Sequence, residues 1–398
     1  MTSPWQRAAQ GANLLADYGS LGVTIFEEIN SLAVRTGALN LGQGFPDQDG
    51  PTEIKELARS AIELGANQYA PGKGILDLRN AIAEHQQRFY GLTLDSESEV
   101  LVTTGATEAI AASLLALVSP GDEVLTLEPF YDSYGAMIAL AGGKHVTVPL
   151  IAPDFELDEQ ALRTAFSDLT KIVLLNSPHN PSGAVLPRAA LELIVELAHK
   201  FDAIIIADEV YEHLTYDVAH IPISTLPGAA ERTITISSGG KTFSFTGWKI
   251  GWATGPAQLI AAVRTVKQFL SYSSGTPFQA AIAWGLRQPQ SYFTELAADL
   301  AAKRDLLAAG LQAAGLTVHL PNGGYFINAD VAPLGFTDAV ALSRELPELI
   351  GVAAIQVAVF CHPDGAERNK SLLRFAFCKQ LSVLEAASAR LLTLKDKL

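Results

Sequence analysis

The sequence predicts an α/β protein, with a large unit built on a mostly parallel sheet covered by helices and a smaller α+β unit after it. Three observations carry this. Short, almost continuously apolar runs such as KIVLLN (171–176) and AIIIA (203–207) alternate with amphipathic stretches, as expected of strands buried on both faces. Beyond residue 255 the alternation yields to long Ala- and Leu-rich helical stretches. The 398 residues also exceed one ordinary domain, which runs roughly 100–200 residues, so two closely packed parts are expected.

Taken in order, 100–104 reads as a strand, 107–118 as a helix, 123–127 as a strand and 131–141 as a helix. Residues 171–176, 203–207 and 233–237 read as further strands. A helix over 187–200 lies between the first two, with Pro187 at its start, where a missing N–H costs nothing. Helices are then expected over 258–270 and 279–315, strands over 324–331, 352–360 and 372–378, and helices over 337–346 and 381–394. No internal repeat or low-complexity tract interrupts the pattern.

Composition narrows the function. Lys and Arg total 28 against 42 Asp and Glu, a net charge of −14, and such a surface repels nucleic-acid phosphates and anionic lipid headgroups. Cys361 and Cys378 are the only cysteines, sparse usage that fits a reducing compartment. The first 20 residues show no basic segment leading into an apolar run. No apolar stretch approaches the roughly 20 residues of a membrane span. A cytoplasmic globular protein is expected.

In an open parallel sheet, ligands bind beyond the carboxyl ends of the strands. After the strand over 100–104 comes Gly105-Ala106-Thr107, which opens a helix: an anion site suited to phosphate, or an ordinary cap. After AIIIA comes Asp208, a carboxylate that needs a cation, a protonated ring nitrogen or a structural ion pair. After KIVLLN, Pro178 and Pro181 flank Asn180 and pin its backbone, for ligand binding or for a turn. After TITIS come Ser238, Gly239, Gly240 and Lys241, with Lys249 past a further turn. A nucleotide-binding phosphate loop needs glycine at position 235, where this chain has Thr235, so that reading fails. Two lysines so placed can divide the work, one covalent and one holding phosphate.

Together these residues resemble the pyridoxal-phosphate aminotransferases of fold type I, class I/II. The likeness runs from LGQGFPD (41–47) to LRF (373–375) and rests on Asn180, Asp208, Tyr211, Lys241, Lys249 and Arg374 in this order and spacing. The kynurenine, glutamine and methionine aminotransferases are similar. The actinobacterial N-succinyldiaminopimelate aminotransferases look closer still, through GATEAIAA, EPFYDSY, SPHNPSGAVL and TGWKIGW.

The resemblance implies a 1–45 segment joining the small domain, a cofactor-binding domain over 46–285 and a small C-terminal domain over 286–398. It implies that Lys241 forms the Schiff base with pyridoxal 5'-phosphate and shuttles the proton. Asp208 would pair with the ring nitrogen, Asn180 and Tyr211 would bond the phenolic oxygen, and Tyr131 would stack on the ring. Gly105, Ala106, Thr107, Ser238 and Lys249 would hold the phosphate. Tyr69 would reach the phosphate of a neighbouring subunit, making a homodimer. Arg374 would bind the substrate carboxylate, Gly44 would leave room for it, and Phe26 would line the side-chain pocket. No metal is implied.

The chain departs from the kynurenine branch at Thr107, usually Tyr, and at Gln356 and Ala358, usually Pro and Ser. The reaction implied moves an amino group from an L-amino acid of aromatic, sulfur-containing or N-succinyldiaminopimelate type to a 2-oxo acid. The alternative is a cysteine-S-conjugate β-lyase using the same cofactor. A transcription regulator on this fold is disfavoured by the acidic charge and the short stretch before LGQGFPD.

Overall fold

The computed structural model describes residues 3–15 and 20–397, so residues 1, 2 and 16–19 of the expected N-terminal segment lie outside the described residues. Its centre is an eight-stranded sheet: β1 (Val100–Thr104), β2 (Glu123–Glu128), β3 (Lys144–Ile151), β4 (Glu156–Leu157), β5 (Thr170–Asn176), β6 (Ile204–Asp208), β7 (Thr233–Ser238) and β8 (Ile250–Thr254). The spatial order is β1-β8-β7-β6-β5-β2-β3-β4. β8 runs antiparallel to both β1 and β7, and β4 antiparallel to β3, while the other neighbours are parallel.

The apolar runs separate by parity, because successive strand side chains point to opposite faces. Val173, Leu175, Ile205 and Ala207 pack on one face with Leu191, Ile194 and Leu197 of the helix Arg188–Lys200. Ile172, Leu174, Ile206, Ile234 and Ile236 pack on the other with Ile110, Tyr134 and Ile138 of the helices Gly105–Leu117 and Asp132–Ala141. A second, four-stranded sheet comprises β9 (Thr317–His319), β10 (Phe326–Asp330), β11 (Ile355–Gln356) and β12 (Leu372–Ala376), in the order β9-β10-β12-β11.

Three expectations change. The helix expected over 279–315 is two helices, Thr276–Leu286 and Gln290–Ala313, divided at Pro289, which caps the second. The helix expected from Pro187 starts one residue later, with Pro187 as its N-cap. The strand expected over 352–360 breaks because it serves two partners. Val352–Ala353 pairs with Leu39–Asn40, Ile355–Gln356 pairs with β12, and Val357–Phe360 turns as a 3-10 helix. Cys361 and Cys378 are buried and unbridged. Among the described residues no helix is long and apolar enough to cross a membrane.

Candidate active site

The carboxyl ends of β1, β5, β6 and β7 open on one cavity of about 180 Å³. Because β8 is antiparallel, its amino end lies at the same edge and brings Lys249 there. Ten predicted site residues line this cavity: Gly105, Ala106, Thr107, Tyr131, Asn180, Asp208, Tyr211, Ser238, Lys241 and Lys249.

Asp208 is 5% exposed. The Tyr134 hydroxyl donates to its Oδ2 at 2.6 Å and the Val210 N–H to its Oδ1 at 3.4 Å. Desolvation outweighs these bonds and raises its pKa from 3.8 to about 6. Burial likewise lowers Lys241 from 10.5 to about 8, a poised amine. Lys241 Nζ donates to the Tyr325 hydroxyl at 2.8 Å, and that hydroxyl donates to the Gly44 carbonyl at 2.6 Å. Tyr211 is hydrogen-bonded to Tyr325, and burial raises its pKa.

At the other end of the cavity, a Cβ on Gly105, whose φ is +75°, would lie 3.2 Å from Lys249 Nζ, so the ammonium sits against the start of the helix Gly105–Leu117. Among the described residues no carboxylate pairs with Lys249. Thr107 hydrogen-bonds Tyr131, whose hydroxyl burial raises to about 12.

Arg374 stands on β12, behind Asn180. It is 1% exposed. Its Nη1 donates to Asn180 Oδ1 at 3.0 Å and its Nη2 to the Gly42 carbonyl at 2.9 Å, while buried Nε has no partner. The rings of Phe326, Phe360 and Phe26 surround the guanidinium at 4.0, 4.6 and 5.7 Å. Among the described residues no carboxylate pairs with it, and burial lowers its pKa to about 10. A buried cation without a counter-ion is costly, so this position is built for an anion.

Phe26 therefore packs beside Arg374 rather than in the cavity itself. The room beside Gly44 is filled: a Cβ there would come within 2.2 Å of the Phe326 ring. Its small size lets Phe326 lie over Arg374. Tyr69 is not brought to the cavity of its own chain; it is 82% exposed and its ring edge meets Tyr272. His179, next to Asn180, is buried with Nδ1 2.6 Å from Ser182 Oγ.

Sequence reasoning missed Tyr134, Tyr325, Phe326 and Phe360. Tyr134 had a usable signal, since it lies one helical turn after Tyr131 on the same face. The other three reach the site only through tertiary contacts.

The donor set fits pyridoxal phosphate. Asp208 is a buried carboxylate lacking a cation, Lys241 a depressed amine, and Lys249 an unpaired ammonium beside a helix start that presents N–H groups. The unpaired Asp208 gives a pH signature in the cofactor-free protein. Between pH 4 and 6 the folded chain keeps a proton that the unfolded chain has released, so stability falls as pH rises through this window, by about 3 kcal/mol. Cofactor-free Asp208→Asn should melt a few °C above cofactor-free wild type at pH 7, and equal it near pH 4. A lower melting temperature at pH 7 would contradict the assignment.

Comparison with known proteins agrees with this chemistry. Residues 36–390 match the family model described as aminotransferase class I and II. The chain is 50% identical over 384 residues to the "probable N-succinyldiaminopimelate aminotransferase" of Mycobacterium tuberculosis, covering 94% of this chain and 96% of that protein. It is 40% identical over 372 residues to the methionine aminotransferase of Escherichia coli, covering 93% and 96%. The solved structure of N-succinyldiaminopimelate aminotransferase from M. tuberculosis superposes with a TM-score of 0.93 at 49% identity, covering 99% of this chain and all of that one. The named relatives are aminotransferases, so the β-lyase alternative is not favoured. The chain belongs to the class I and II aminotransferase family, and it is a pyridoxal-phosphate-dependent transaminase acting on amino and 2-oxo acids.

Proposed function

We propose that the amino donor is an N-succinyldiaminopimelate-type amino acid, with its α-carboxylate on Arg374 and its long side chain in a second cleft. The observation that carries this is that cleft, about 460 Å³. It adjoins the arginine cage at Phe360 and is walled by Asn13, Thr24, Arg344, Asp132 and Gln356. Gln356 and Ala358, where the chain departs from the kynurenine branch, both line it. These polar groups stand among apolar side chains such as Leu14, Val23, Ile25 and Val340, a mixed lining that suits a long chain with a polar end, and the name of the 50% identical relative supports the same reading.

The cofactor supplies an electron sink for the substrate's α-carbon. Within this frame Asp208 would keep the ring nitrogen protonated. Asn180 and Tyr211 would hold the phenolic oxygen, and Tyr131 would cover the ring face. Lys249, Ser238 and the amides of Ala106 and Thr107 would hold the phosphate. Lys241 would anchor the cofactor and, when free, would hold and move a proton at its Nζ. Tyr325 orients that amine.

We assign 46–285 to the cofactor-binding domain and 286–398 to the small domain, and the cytoplasm as the compartment. The assembly is a homodimer in which Tyr69 serves the partner's phosphate. Exposed Tyr69 and Tyr272, whose rings meet, support this, since a chain seldom leaves large aromatic side chains together in solvent.

A half-reaction with each candidate donor tests the substrate. The cofactor's visible absorbance should fall fastest with N-succinyl-diaminopimelate, by about 10-fold or more over methionine or kynurenine in kcat/KM. Faster loss with methionine or kynurenine would overturn the substrate assignment and leave the transaminase intact.

A further inference from the structure

Behind the sheet edge that carries Asp208 and Tyr211 lies a second cluster of ionisable groups that transamination does not use. His85 comes from the helix Leu76–Tyr90, and Glu212 and His213 follow β6. One ring nitrogen or carboxylate oxygen of each lies within 4.8 Å of the others, and without an ion His85 Nε2 and His213 Nε2 share a hydrogen bond at 2.6 Å. His85 and Glu212 are buried, and the walls are aromatic, with the His213 ring centroid 4.1 Å from that of Phe293.

The charge balance of this cluster is incomplete. Glu209 and Glu212 are both buried, yet among the described residues neither pairs with Lys or Arg. Arg88 is near, but it donates to the carbonyls of Leu286 and Arg287. Glu212 accepts from Ser237 Oγ at 2.6 Å and from Tyr90. Glu209 accepts from the Ile223 N–H at 3.1 Å, and the buried His220 ring lies 3.2 Å from its carboxylate, though neither ring nitrogen makes a hydrogen bond. Buried carboxylates are paired or hold metals.

We propose that His85, His213 and Glu212 form a binding site for a divalent transition metal ion of the zinc class. Two imidazoles and a carboxylate are a donor set such ions take in tetrahedral geometry. Burial keeps both histidines in the neutral form that ligates, with His85 lowered to about 3 and His213 lowered as well. Ser237 and Tyr90 orient Glu212, as outer partners do in metal sites. The ion would clasp the helix Leu76–Tyr90 to the segment that carries Tyr211, a structural role. With nitrogen-to-metal distances of about 2.0–2.1 Å, the two Nε2 atoms must open to about 3.3 Å.

The test uses holoenzyme produced in zinc-supplemented medium, washed with chelator and counted by elemental analysis. Production with the metal present matters because the site is enclosed. Wild type should carry about one zinc per chain, and Glu212→Gln and His213→Asn about a tenth of that or less. Retained cofactor absorbance shows that the variants are folded. Wild type with a tenth of an ion or less overturns the proposal whether or not the variants fold. A full count retained in both folded variants places the ion elsewhere and overturns it too. This inference does not depend on the donor assignment.

Discussion

Lys241→Ala should lower turnover by about 10⁴-fold or more, because it removes both the anchoring amine and the proton carrier. Local structure predicts that the fold survives. Lys241 makes one hydrogen bond, to Tyr325, and Tyr325 keeps its own bond to the Gly44 carbonyl when the lysine is gone. The variant should therefore bind cofactor without covalent attachment, and the mass of the borohydride-reduced protein should not rise. A small added amine should restore part of the activity. Lys241→Arg should not recover it, because a guanidinium stays protonated at neutral pH. Steady-state rates with and without methylamine check this; a wild-type rate in Lys241→Ala without added amine would contradict it.

Arg374→Lys should lower kcat/KM for both the amino donor and the 2-oxo acid by about 10²–10³-fold, since both present the same carboxylate to a bidentate fork. The loss should fall mainly on KM. The comparison that isolates the carboxylate is the matching amine that lacks it. Wild type should strongly prefer the amino acid over that amine, and the variant much less. Lysine is the informative substitution, because alanine would empty the cage of Phe26, Phe326 and Phe360 and leave Asn180 and Gly42 without their donors. An unchanged KM for the donor and the acceptor would remove Arg374 from substrate binding.

The parts of this site that were legible in the sequence are those tied to strand ends. Asp208 and Asn180 stand after the most apolar strands, and Lys241 follows a Ser-Gly-Gly turn, so local pattern and strand-end chemistry found them together. Lys249 was legible as a residue but its route was not: it reaches the site because β8, a mixed run read as no element, is antiparallel to its neighbours. Phe326 opens β10 and Tyr325 lies in the turn just before it, while Phe360 comes from a 3-10 turn, and no motif marks them. Their roles follow from contacts across long separations, which periodicity does not encode. Elsewhere, a long Ala-rich stretch read as one helix because the residues around Pro289 keep the helical pattern. A β run read as one strand because β-branched residues do not reveal which sheet each half joins.

The most direct measurement of the central claim is the amine balance of a single half-reaction. Holoenzyme is mixed with excess amino donor in the absence of any 2-oxo acid, and product 2-oxo acid and free ammonia are both counted. Amino transfer at Lys241 predicts about one 2-oxo acid per chain, no ammonia, and a halt until a 2-oxo acid is added. Continued turnover that releases ammonia with the oxo acid would contradict it, because the nitrogen would then leave the protein instead of being kept for the acceptor.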